Sequence, residues 1–111
     1  MVQLFIKNLK EIETDFKQEL ENICQEKIAF YQNLFKKYDK DLKLEVIVKK
    51  SAKTYTISAS MDMKSKKILL AEEDSDLLKA THKLFGEFKK VVKRQYELER
   101  KDYTYKRKNR K

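Results

Sequence analysis

The pattern of apolar and polar positions is organised around a stretch near the C-terminus, DLLKATHKLFGEFKKVVKRQYELERK, residues 76–101. Leu77, Thr81, Leu84, Phe85, Phe88, Val91, Val92, Gln95 and Leu98 recur at steps of three and four, which puts them on one core-facing stripe of a helix. A second helical run starts near Lys10. Ile12, Phe16, Leu20, Ile23, Cys24, Ile28, Tyr31, Leu34, Phe35 and Tyr38 keep the same steps and predict a helix of about 27 residues. Its acids come early (Glu11, Glu13, Asp15) and its lysines late (Lys36, Lys37, Lys40), an order that suits the helix dipole.

Between and before these helices the period changes from helical to twofold. VQLFIK, residues 2–7, places Val2, Leu4 and Ile6 on one side of a short strand. LKLEVIVKK places Leu42, Leu44, Val46 and Val48 together, with Lys43, Glu45 and Lys49 opposite and Ile47 as an apolar exception. After the KKSAK turn, Tyr55, Ile57, Ala59, Met61 and Met63 point one way, and Thr54, Thr56, Ser58, Ser60 and Asp62 the other. A last strand, Lys67–Glu72, has Ile68 and Leu70 inward. EEDSD then opens the second helix, with Asp74 or Ser75 as its cap and Asp76 in its first turn. Gly86, the one glycine, falls inside that helix, where it either permits a close backbone approach or is a tolerated surface glycine.

The order β-α-β-β-β-α predicts a single α+β domain: a mostly antiparallel four-stranded sheet with both helices on one face, the overall plan of a double-stranded RNA-binding-like fold. The Thr- and Ser-rich side of the sheet is left to water. The domain is expected to span residues 1–102, with 103–111, YTYKRKNRK, as a basic tail disordered until it meets a polyanion.

Charge sharpens this outline. The chain has 27 Lys+Arg against 18 Asp+Glu, a net +9. Residues 1–35 hold 4 lysines and 6 acids, while residues 36–111 hold 23 basic and 12 acidic residues. The outward side of the last helix carries Lys79, Lys83, Lys89, Lys90, Lys93, Arg94, Arg100 and Lys101. Like charges one turn apart repel by a few tenths of a kcal/mol per pair, so this ridge is expected to meet something anionic. With Lys36 and Lys37 at the end of the first helix and Lys106, Arg107 and Lys108 in the tail, it forms a candidate polyanion surface centred on the groove between the helices, with nucleic acid the first candidate.

Other classes find less support. Cys24 is the only cysteine and His82 the only histidine, so there is no disulfide framework, no Cys-based metal site and no nucleophile–base pairing. A Gly-rich phosphate loop is also absent. The chain is expected to be a non-enzyme with no cofactor, metal or small-molecule substrate, monomeric, cytoplasmic and not membrane-bound, since no apolar run approaches the roughly 18 residues of a spanning helix. A double-stranded RNA-binding module is the nearest alternative, but it needs lysines where EEDSD opens the last helix. A second alternative is a basic module that meets an acidic protein or an anionic membrane surface. Tyr103 and Tyr105 among the tail cations fit either ligand.

The run ILLAEEDSDLLKATHKLFGEFKKVVKRQ from Ile68, with the strands Leu44–Lys50 and Tyr55–Asp62 and the opening VQLFI, resembles the ribosome hibernation promoting factors, also described as ribosome-associated inhibitors. The resemblance spans roughly residues 2–101 and is anchored on Ala71, Glu72, Asp76, Ala80, Leu84 and Phe88. It implies a β-α-β-β-β-α domain that occupies the cleft of the small ribosomal subunit, overlaps the tRNA and mRNA sites and silences translation under stress or in stationary phase. It also implies that Lys89, Lys90, Lys93 and Arg94 face 16S rRNA, with Arg100 and Lys101 extending the row. His82 and Glu87 stand where the family tends to have an acid and then a base. Ending after the basic tail, the chain looks like a short form of the family.

Overall fold

The computed structural model describes residues 2–7, 14–38 and 40–108, with side chains described for all of these except residues 14–15 and 101–108. The elements run β1 (Val2–Lys7), α1 (Thr14–Leu34), β2 (Leu42–Lys50), β3 (Tyr55–Asp62), β4 (Lys67–Asp74) and α2 (Leu77–Lys108). The expected order is therefore present, and the four strands lie side by side in sequence order.

β1 pairs with β2 in parallel, and the other two pairings are antiparallel. The parallel pair follows from α1, because a chain that crosses over the sheet through a helix returns in its starting direction. Strand register aligns the apolar positions into rows. Leu4, Leu44, Met61 and Ile68 stand side by side across the sheet, and Ile6, Val46, Ala59 and Leu70 form the next row. A slip of one residue on any strand would turn its row to water. Both hairpins close without glycine or proline: Ser51 N–H donates to Thr54 O at 2.9 Å and Met63 N–H to Lys66 O at 3.0 Å.

The apolar face of the sheet carries both helices. Leu20, Cys24, Ile28, Tyr31 and Phe35 from the first helical segment meet Leu77, Ala80, Leu84, Phe85, Phe88 and Val92 from α2 over the sheet rows, all fully or nearly fully buried. Ala80 joins the expected α2 stripe, whereas Leu98 is 49% exposed; there the buried side shifts to Tyr96 and Glu99. Thr81, buried in the stripe, satisfies its hydroxyl by donating to Leu77 O at 2.8 Å. The opposite sheet face is polar, with Phe5 and Leu69 exposed on it.

Several local expectations need correction. α1 ends at Leu34, so Lys36 and Lys37 lie in the turn beyond it rather than in its last helical turn. The backbone tightens there: Phe35 N–H still donates to Tyr31 O at 2.9 Å, but Tyr38 N–H reaches only back to Phe35 O at 3.0 Å. The predicted start of this helix near Lys10, with Glu11, Ile12 and Glu13, lies outside the described residues. Asp76, not Asp74 or Ser75, caps α2, its carboxylate accepting from Leu78 N–H at 3.0 Å and Lys79 N–H at 3.4 Å. Asp74 acts one step earlier by accepting from Asp76 N–H at 2.9 Å. Gly86 is exposed, and a Cβ built there meets nothing within 4 Å, so it marks no close approach of another backbone. The α2 assignment continues through Lys108, six residues into the segment expected as a tail.

Candidate nucleic-acid interface

Burying one side of α2 dictates where its charges go. With Leu84, Phe88 and Val92 directed at the sheet, a rotation of about 100° per residue carries Lys89, Lys93 and Arg100 to the flank nearer α1 and Lys83, Lys90 and Arg94 to the far flank. Two basic rows thus edge the outward side of the helix where the sequence suggested a single ridge.

The near row leans on aromatic rings. Lys89 Nζ stands 4.7 Å from the ring centroid of Phe30 on α1, and the Arg100 guanidinium carbon 5.7 Å from that of Tyr96. In the far row, Lys83 pairs with Asp74 at 3.3 Å and Lys90 with Glu87 at 3.5 Å. Both pairs are exposed on the lysine side, so water and salt screen them and their contribution is small. Among the described residues, no carboxylate lies within ion-pair distance of Lys89, Lys93 or Arg94. Lys36 and Lys37 are exposed in the turn after α1. Phe35 and Tyr38 flank them in sequence and pack on Tyr96 at 4.9 and 5.5 Å between ring centroids, which brings that turn to the same end of the molecule as Arg100. The side chains of Lys101, Lys106, Arg107 and Lys108 lie outside the described set.

Glu99 plays a part that charge counting missed. Its carboxylate accepts from Tyr38 O–H at 2.6 Å, Ser65 N–H at 3.1 Å and the Ser65 hydroxyl. Gln95 donates to the same Ser65 hydroxyl, and Lys64 N–H donates to Tyr38 Oη at 2.9 Å. The far half of α2 is thereby fastened to the β3–β4 turn and to the turn after α1. Burial, and then the bond to Glu99, pushes the Tyr38 hydroxyl up to about 12. The only signal available was position, since Glu99 falls seven residues, two helical turns, after Val92, and it reads equally well as a solvated acid.

The remaining chemistry-bearing groups stand apart from this surface. Cys24 is fully buried, and burial followed by the nearby Glu21 charge pushes its thiol up to about 12, so it packs as a small hydrophobe. His82 is exposed on α2. Among the described residues no three metal-ligating side chains gather, and no helix is long and apolar enough to cross a membrane.

No protein-family model matches the chain, and no curated protein is significantly similar to it in sequence. Among solved structures, the N-terminal domain of Protein Y from Thermus thermophilus is similar, with a TM-score of 0.57 and 24% identity over 83% of this chain and 93% of that one. At that identity the likeness speaks for architecture alone: this chain shares the fold of the Protein Y N-terminal domain.

Proposed function

We propose that this protein is a ribosome hibernation factor. In this reading its two-helix surface lies on 16S rRNA in the cleft of the small ribosomal subunit and excludes tRNA and mRNA by occupancy, without chemistry. One observation carries the reading: from Lys79 to Arg100, α2 exposes seven basic side chains and only two acids, Glu87 and Glu97, while the only basic side chains described on α1, Lys17 and Lys27, are half-buried. A folded domain gains nothing from such one-sided crowding, whereas an RNA backbone neutralises it and releases counterions. The fold shared with the Protein Y N-terminal domain supports the β-α-β-β-β-α plan that this reading needs, and the resemblance of residues 2–101 to hibernation factors supports the ribosome-associated role from the sequence.

The start of α2 weighs against a duplex-RNA module. Asp74 and Asp76 are committed there to turn and cap bonds, beside Glu72 and Glu73, so the helix end that would have to reach phosphates is acidic. Purified protein added to washed ribosomes in a cell-free translation reaction tests the proposal. Dose-dependent arrest that is relieved by added salt is the expected result. Undiminished translation at saturating protein, with capture on anionic vesicles or on duplex RNA instead, would overturn it.

A further inference from the structure

The seam between α1 and α2 is built from aromatic rings at two depths. Tyr31, Phe35 and Phe88 are buried at its base, while Phe30 and Tyr96 sit above them, partly exposed. The layers touch edge to face at Phe30 and Tyr31, 5.1 Å apart, and tilted at Tyr96 and Phe35, 4.9 Å apart, while Tyr31 meets Phe88 edge to face at 6.0 Å within the base. Each upper ring has a cation over it, Lys89 on Phe30 and Arg100 on Tyr96. Both upper rings also pack against the core, and Tyr96 meets Tyr38 at 5.5 Å, but unlike the lower layer they stay partly exposed.

Resting on the ribosomal RNA reading, we propose that this seam takes unpaired nucleotides. A base stacks on the face of Phe30 or Tyr96, and the neighbouring cation moves to the phosphate of the same nucleotide. A flat ring with a charge beside it offers both halves of a nucleotide a partner, and such stacking tolerates any base. Duplex RNA keeps its base faces stacked within the helix and can offer only phosphates. The seam therefore confers a preference for single-stranded over paired segments, which two rows of point charges alone would not.

Binding of a labelled single-stranded RNA and of a duplex of the same sequence, titrated at several salt concentrations, tests this with the full chain. Phe30→Leu and Tyr96→Leu should each lose about tenfold in affinity for the single strand, with unchanged salt slope and unchanged affinity for the duplex, while Tyr96→Phe keeps wild-type binding. The chain contains no tryptophan, so Phe30→Trp supplies a direct reporter whose fluorescence should be quenched by the single strand and not by the duplex. Wild-type single-strand affinity in both leucine variants, or equal quenching by both RNAs, would overturn the stacking seam and leave the phosphate-based reading intact. Failure of the wild type to bind either RNA would remove both.

Discussion

Along α1, every exposed side chain from Gln18 to Asn33 is an amide, an acid or alanine; along α2, from Lys79 to Arg100, most exposed side chains are lysine or arginine. The two helices nevertheless do the same structural work, laying apolar stripes of similar depth on the same sheet face. Packing thus fixes the inner halves of both and is indifferent to the outer halves. Only the outer halves differ in sign, and on α2 the like charges at Lys89 and Lys93, and at Lys90 and Arg94, stand one turn apart at a cost of a few tenths of a kcal/mol each. That cost, confined to one of two helices with equivalent buried faces, is the feature on which the proposed RNA-binding surface rests.

The inner equivalence can be broken first. Leu20→Ala on α1 and Leu84→Ala on α2 each empty a fully buried site and should each cost about 2–5 kcal/mol in urea unfolding. A tolerated truncation on either helix would show that the stripes do not share the core equally. Next, Glu99→Ala removes the acceptor that Tyr38 and Ser65 both use. It should lower stability by about 1–3 kcal/mol, even though it deletes an acid from a basic stretch; a stabilised variant would show Glu99 to be a mere counter-charge. Asp76→Ala takes the cap from α2 and should cost about 1 kcal/mol. Gly86→Ala meets open space and should stabilise α2 by up to about 1 kcal/mol, read as a raised melting temperature.

The smallest effects are those of pH. The Asp76 backbone N–H, and then Lys83, hold the Asp74 carboxyl below its ordinary value of 3.8. Its stabilising contribution is complete above that value and fades as pH falls through the lowered one, so α2 should loosen slightly in acid. Tyr38 has the opposite sign. With its hydroxyl raised from 10.0 to about 12, its contribution is complete below pH 10 and is lost as pH rises toward 12, and Tyr38→Phe should flatten that alkaline limb.

Much of the fold is legible in the sequence because burial imposes a period on it. Leu42, Leu44, Val46 and Val48 alternate, Leu20, Cys24, Ile28 and Tyr31 step helically, and the structure buries all of them. What escaped depends on geometry that no period encodes. The direction of β1 relative to β2 follows from the path over α1. The choice of Asp76 over Asp74 as cap turns on two residues of register, and the end of α1 before Lys36 on how Tyr38 packs beside Phe35 and Tyr96. Of the candidate interface, the cations were plain from charge alone. Their division into two rows, the rings beneath Lys89 and Arg100, and the withdrawal of Glu99 into the β3–β4 turn required the three-dimensional arrangement, because each joins residues far apart in sequence.

Co-sedimentation with small ribosomal subunits across a salt series tests most directly whether the outer side of α2 is the working surface. Wild-type protein should pellet with the subunits at low salt, with log K falling against log[salt] by about 3 if Lys89, Lys90, Lys93 and Arg94 each meet a phosphate. The quadruple Lys89→Glu, Lys90→Glu, Lys93→Glu, Arg94→Glu variant should keep its circular dichroism and stay in the supernatant. A folded quadruple variant that still pellets with the subunits would contradict the assignment.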